Sequence, residues 1–280
     1  MGEPMCANLA RKCGKPVFAT DKRPEQTARV ASEGVKGCAT LADIARSTDA
    51  VFLSLPTGGD VEEVCLGEGG LVQNGSRTHT IVDMSTSPVS LTRDLARRLA
   101  ERGIAFADAP VARTRQAAHD GTLSIMVGAD AALFAAIRPY LACMGTEITH
   151  CGDIGCGQVV KTLNNMALFI TVNALAEALA IGRAAGVDGV LLFQTMAKGS
   201  SDSFALRNHG LNFMLADNFP EDTFPTDYAV KDIRLALELA REAGVDARAA
   251  QQTCALLEAT SRAGYGKSYY PAMLKLVEPN

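Results

Sequence analysis

The sequence predicts an α/β domain with a parallel sheet over residues 1–152, followed by an all-helical domain over residues 153–280. Three observations carry this. Short apolar strands such as Ala50 to Leu55 alternate with helical patterns through the first half, and that alternation marks an open α/β domain. The strands are apolar throughout rather than at every second position, which suits a parallel sheet covered on both faces. Beyond the glycines at 152, 155 and 157 only helical periods follow, beginning with a proline-free stretch to Gly186 that is apolar on more than one face and reads as an interior helix.

Taken in order, MGEPMCANLARK reads as a helix ended by Gly14, and Pro16 to Asp21 as a short strand stopped by Asp21-Lys22-Arg23-Pro24. A polar helix runs to Glu33, a strand lies near Val35 and a helix spans Leu41 to Arg46. Pro56 and Gly58-Gly59 break the strand at 50–55. Thr80 to Asp83 is the next strand, Pro88 to Glu101 a charged helix and Ile104 to Ala107 a further strand. Leu123 to Val127 and Glu147 to His150 read as strands flanking a helix over Ala131 to Leu141. After the long helix, helices are expected at Val190 to Met196, Tyr228 to Ala243, Ala247 to Arg262 and near Ala272.

At 280 residues, 48% of them hydrophobic and 21% charged, the chain can bury two cores. A net charge of -4 with scattered signs argues against nucleic-acid or membrane partners. No apolar run is expected to span a membrane, because Asn173 and Glu177 interrupt the long helix. The eight cysteines form no CxxC pair and there is no signal sequence, so cytoplasmic thiols and no metal site are expected. Cys151 and Cys156 are either reactive or small buried residues. His79, His119, His150 and His209 have no metal-ligand or catalytic spacing.

Lys161 and Asn165, four residues apart, lie on one helix face, where an amine and an amide can converge on a carbonyl oxygen. A solvated first turn or a local Lys/Asn hydrogen bond would explain the same spacing. Open α/β domains bind ligands at the C-terminal strand ends, and a dinucleotide needs a glycine-rich turn into the first helix. This chain shows no strand and no GxG before its first helix, yet Asp21 follows a strand where an acid would accept hydrogen bonds from a ribose.

The chain resembles the β-hydroxyacid dehydrogenase family over essentially its whole length. The residues that carry the resemblance are MGEPMCANL, the segment DAPVARTRQAAHDGTLSIMVG at 108–128, the GxGxxxKxxNN pattern ending at Asn165, and KDIRLALELA at 231–240. It implies a Rossmann-like domain whose first strand and phosphate-binding glycines are absent here. That absence in turn implies a start placed too far downstream or a truncated chain, with a divided sheet and exposed strand edges; a divergent chain that no longer binds nucleotide, a non-catalytic oligomeric binding protein, is the alternative.

By the same resemblance NAD is the expected cofactor. It would be held by Gly2 at the start of the first helix, Asp21, Lys22, Leu55, Pro56, Ser85, Thr86 and Lys231. Asp21 disfavours a 2′-phosphate, whereas Lys22 and Arg23 would welcome one, so NADP is also open. Read alone, Asp21 is a charged surface turn, the Leu55-Pro56 and Ser85-Thr86 pairs are ordinary turns, and Lys231-Asp232 is the polar start of an amphipathic helix.

Lys161 is the implied catalytic lysine, donating a proton to the developing alkoxide, with Asn165 beside it holding substrate, Asn164 securing local backbone and Asp232 orienting neighbours. The substrate loop departs from the family's usual Ser-Gly-Gly at Ala112, Arg113 and Thr114, where Arg113 offers a planar fork for a carboxylate, phosphate or sulfonate. A surface or interface salt bridge is the plainer role for Arg113, and Arg115 competes for the assignment. The APVxRT pattern, MGTEI at 144–148 and the KxxNN helix most resemble sulfolactaldehyde reductases. The implied reaction is reversible NAD-dependent reduction of a small anionic aldehyde, of sulfolactaldehyde or else of a tartronate or methylmalonate semialdehyde. The helical domain is expected to build a homodimer or homotetramer. Tyr269 stands where the family commonly has an aspartate, which alters the expected outer edge of the site.

Overall fold

The computed structural model describes residues 1–73, 77–221 and 223–278. Contacts divide the chain into two compact units, Met1–Lys161 and Thr162–Asn280. The helical period begins near residue 152, whereas the division falls inside the long helix.

The first unit is built from α1 (Gly2–Lys12), β1 (Phe18–Ala19), α2 (Pro24–Val30), β2 (Lys36–Gly37), α3 (Leu41–Ser47), β3 (Ala50–Leu53), α4 (Gly58–Leu66), β4 (Thr80–Asp83), α5 (Val89–Ala100), β5 (Ala105–Asp108), β6 (Val111–Ala112), α6 (Arg115–Asp120), β7 (Leu123–Gly128), α7 (Ala131–Leu141) and β8 (Gly145–Gly152). Its strands form two sheets, as the sequence leads one to expect. β1 and β2 pair in parallel as a two-stranded piece, and β3-β4-β5-β7-β6 form the larger sheet with β8 on β7. The strands β3, β4 and β5 are parallel in strict register, Leu53 beside Asp83 beside Asp108. At β7 the direction reverses, antiparallel to β5, and β8 follows β7 in parallel through α7.

Both faces of the larger sheet are covered, as the unbroken apolar strands require. Ile81 and Phe106 join one buried cluster with Leu53, Leu95 and Leu99, while their neighbours Val82 and Ala107 join another with Met5, Ile125 and Leu141. Ile81 and Val82 are each 0% exposed, so successive side chains on one strand are equally interior.

Three elements escape the sequence reading. α4 starts on the glycine pair that reads as a breaker, because Thr57 and Asp60 form a capping box: Thr57 Oγ1 accepts the Asp60 N–H at 3.2 Å and Asp60 Oδ2 accepts the Thr57 N–H at 3.1 Å. β6 and α6 are too short for a periodic signal. The reading also overextends β1 and β3, whose ends turn out into loops.

The second unit holds most of α8 (Cys156–Ala184), then α9 (Gly189–Met196), a π-helix (Leu206–Met214), α10 (Thr226–Glu242), α11 (Arg248–Thr260), a short π turn and 3₁₀ turn, and α12 (Leu274–Val277). The π-helix has no counterpart in the sequence reading, since its period is neither 3.6 nor 2. By length and a mean hydropathy of 1.5, α8 meets the measure of a membrane-crossing helix, contrary to the expectation that Asn173 and Glu177 would interrupt it. Its Phe169, Val172, Leu175, Ala176 and Leu179 instead form the core of this unit with Phe193, Ile233, Leu257 and Tyr270. Tyr269 is buried against His209 and Phe213, and burial lowers the His209 imidazole to about 4, so it is neutral at physiological pH.

Candidate active site

In the first unit the residues singled out at strand ends converge. The parallel strands β3 and β4 end side by side, and beyond them Ser85 Oγ accepts the Leu55 N–H at 2.9 Å. A Cβ placed on Gly2 would lie 3.2 Å from Ser54 Cβ and Oγ, so the start of α1 touches the same strand end, with Pro56 next in the chain. The loop after β4 is held from below by Asp83. One oxygen accepts the Ser85 N–H at 2.8 Å, and the other accepts the Ser87 hydroxyl at 2.8 Å. Thr86 is thereby fixed between two anchored serines.

Asp21 is exposed after β1, where its Oδ1 accepts the Arg23 N–H at 2.8 Å. Lys22 reaches Glu63 on α4 at 3.5 Å, and the Arg23 guanidinium lies 3.8 Å from Asp21. The acids therefore balance the two cations that would favour a 2′-phosphate. Asp21, Leu55-Pro56 and Ser85-Thr86 all follow C-terminal ends of parallel strands, the place where an α/β domain holds a dinucleotide, and Gly2 packs on Ser54 beside one of those ends.

In the substrate segment, Ala112 lies in β6 opposite Ser124, and Thr114 caps α6 by accepting the Ala117 N–H at 3.3 Å. Arg113 adopts φ 84°, a left-handed conformation that L side chains avoid. The exposed side chain is held by neutral oxygens, donating to Thr122 O at 2.6 Å and to Thr146 Oγ1 at 3.5 Å. Among the described residues of this chain no carboxylate pairs with it.

Lys161 is half-buried, near the start of α8. The residues that seat this helix escaped the sequence reading. Asp108, fully buried, accepts the Gly155 N–H at 2.6 Å and the Gln158 N–H at 2.7 Å, one on each oxygen. The Gln158 side chain donates to Ser85 O at 2.8 Å and accepts the Ser87 N–H at 3.2 Å. Burial pushes the Asp108 carboxyl up to about 6, against the two N–H donors, and raises Asp83 as well. The available signal was the repeated ending of an apolar strand in aspartate, TIVD and AFAD, at the same register.

Within the second unit, Asn164, Asn165, Lys231 and Asp232 come together. Asn165, 4% exposed, donates its amide to Asp232 at 2.8 Å and accepts from Asn164 at 3.3 Å. The Lys231 ammonium lies 3.3 Å from the other Asp232 oxygen and 5.3 Å over the Tyr228 ring. Asn164 thus meets the side chain of its neighbour in sequence. Burial raises the Cys151 thiol above its ordinary value, the reverse of activation. His150 donates or accepts at Ala129 O at 2.7 Å and stacks on Phe134, a local role.

Residues 1–152 match the family described as the NAD binding domain of 6-phosphogluconate dehydrogenase, and residues 155–277 match the NAD-binding family of NADP-dependent 3-hydroxyisobutyrate dehydrogenase. The chain is 35% identical over 278 residues to the 2-(hydroxymethyl)glutarate dehydrogenase of Eubacterium barkeri, covering 99% of this chain and 92% of that one. It belongs to the β-hydroxyacid dehydrogenase family. Among other family members, the 2-hydroxy-3-oxopropionate reductase of Escherichia coli is 35% identical over 246 residues, 86% of this chain and 81% of that one. A solved 3-hydroxyisobutyrate dehydrogenase from Mycobacterium tuberculosis superposes with a TM-score of 0.90 at 27% identity, covering 100% of this chain and 96% of that one. This β-hydroxyacid dehydrogenase is accordingly an NAD(P)-dependent oxidoreductase of the primary alcohol/aldehyde type.

Proposed function

We propose that the protein reversibly reduces a small aldehyde bearing an anionic group, with sulfolactaldehyde as the first candidate and a tartronate or methylmalonate semialdehyde as the nearest rival. The observation that carries the anionic preference is Arg113: a guanidinium held in place by neutral oxygens, on a backbone conformation that costs about 1 kcal/mol or more for a residue other than glycine. A strained position that a family member could fill with glycine but fills with arginine supports a role in recognition. The same support would serve a carboxylate, and the candidates differ in the anion, in chain length and in the group on the carbon beside the aldehyde.

Gly2, Asp21, Lys22, Leu55, Pro56, Ser85, Thr86 and Lys231 are the residues that would hold the dinucleotide. The nicotinamide, when bound, supplies or accepts the hydride. Lys161 would hydrogen-bond the carbonyl oxygen, stabilise the charge that develops there and give it a proton; in oxidation the amine takes the proton back. Asn165 and Asp232 would fix the polar surroundings in which substrate hydroxyls or carboxylate are oriented. Initial rates with a panel of anionic aldehydes and NADH or NADPH test the reading. Arg113→Ala should raise KM for the preferred anionic aldehyde by about tenfold or more, and an unchanged KM would sink the assignment.

A further inference from the structure

We propose that Asp108 is the positioning residue for Lys161: its carboxylate seats the first turn of α8 through the Gly155 and Gln158 N–H groups and so fixes where the ammonium sits. The inference rests on Lys161 acting as the proton donor, as proposed above.

Both oxygens of Asp108 are spent on the helix start, at 2.6 and 2.7 Å, which leaves the carboxylate no freedom to rotate. The surroundings are shaped to let it reach. A Cβ on Gly128 would lie 2.3 Å from Asp108 Oδ1, and one on Gly157 would lie 2.7 Å from Oδ2 and 2.3 Å from Met126 O. Gly155 carries φ 87°, turning its N–H toward the strand end. The GxG before Lys161 is therefore a seat for a helix on a carboxylate, in a pattern that elsewhere in α/β domains binds phosphate. Negative charge at the N-terminal end of α8 is also where the helix dipole favours it.

Gln158, one turn before Lys161, extends the seat to the loop at Ser85 and Ser87, and Asp83 holds that loop from the adjacent strand. One buried network thus ties the end of the sheet, the loop proposed to hold the dinucleotide and the helix carrying the proton donor. The charged and titratable groups facing Asp108 are Asp83 from β4 and Cys151 from β8. Burial pushes Asp108 up to about 6, so the seat is charged at neutral pH and loses an acceptor when protonated below that.

The test pairs amide exchange with kinetics on Asp108→Asn, which keeps shape but presents an amide to two N–H donors. Exchange at Gly155 and Gln158 should quicken about tenfold or more while strand amides at Ile81, Val82 and Val127 stay protected. The turnover number should fall about 100-fold with the NADH KM within about twofold. Turnover close to wild type, or exchange raised equally across the sheet, overturns the proposal. If the variant does not fold, the wild-type chain decides: exchange at Gly155, corrected for the intrinsic rate, should rise as pH falls through about 6, and a flat profile overturns it. Lys161→Ala separates the two readings. Retained turnover there defeats the proton-donor role, whereas lost turnover there with normal Asp108→Asn defeats only the seat.

Discussion

The polar cluster under the start of α8 and the polar cluster around Asp232 use the same residue types in opposite ways. The Asp108 carboxylate is filled by backbone N–H groups at the start of α8, so its partners cannot move without moving the helix, and Asp83 backs it by holding the Ser85 N–H and the Ser87 hydroxyl of the neighbouring loop. Asp232 is filled by the side chains of Asn165 and Lys231, which can leave by rotating. Backbone-bonded carboxylates fix geometry, and side-chain-bonded ones can rearrange around a substrate. The comparison places rigidity beside the proposed proton donor and adaptability in the second unit.

The severest way to break the rigid cluster is Gly157→Ala. The new methyl would meet Met126 O at 2.3 Å and Asp108 at 2.7 Å, and the shift it forces should cost about 3 kcal/mol or more in urea denaturation. Asp232→Ala probes the adaptable cluster: it strands the buried Asn165 amide and should cost about 1–3 kcal/mol, with Asp232→Asn recovering part of it. If Asp232→Ala cost more than Gly157→Ala, the contrast between the two would be lost.

A pH series sharpens the contrast further. Asp108 has a folded value of about 6, above the ordinary carboxylate value near ~3.9. The folded state therefore binds this proton more tightly than the unfolded chain. The contribution is present below about 4 and is lost as pH rises through about 6. Relative to Asp108→Asn, wild type should thus lose stability between pH 4 and 7, although the charged form is the one that seats α8. Thermal melts of both proteins across that range would show it, and a widening wild-type advantage with rising pH would contradict it. The smallest effect is expected at Tyr228→Leu, which removes the ring beneath the Lys231 ammonium at 5.3 Å. A loss of about 0.5–1 kcal/mol is expected at this partly exposed site, read by the same denaturation.

Much of the architecture was legible because burial on both sheet faces writes itself as unbroken apolar runs. TIVD and the helix at 131–141 match the structure residue for residue. What stayed hidden is set by long-range packing or by capping. Gly58-Gly59 reads as a break because its glycines outweigh the Thr57–Asp60 box in propensity, and the π-helix at 206–214 has no pattern to match. In the site, Leu55, Ser85, Asn165 and Asp232 were legible through resemblance, and the structure draws them into two networks. Asp108 and Gln158 were not, since each is a single polar residue at the edge of an apolar stretch whose partners lie 47 to 73 residues away in sequence. Arg113 was visible as a departure, but only the backbone shows that it stands in a glycine conformation.

The central claim is that Lys161 delivers the proton to the reduced carbonyl. Steady-state turnover of Lys161→Ala with NADH and the preferred anionic aldehyde, alongside calorimetric NADH binding, tests it most directly. The account expects turnover to fall about 100-fold or more with NADH affinity preserved; turnover near wild type would contradict it.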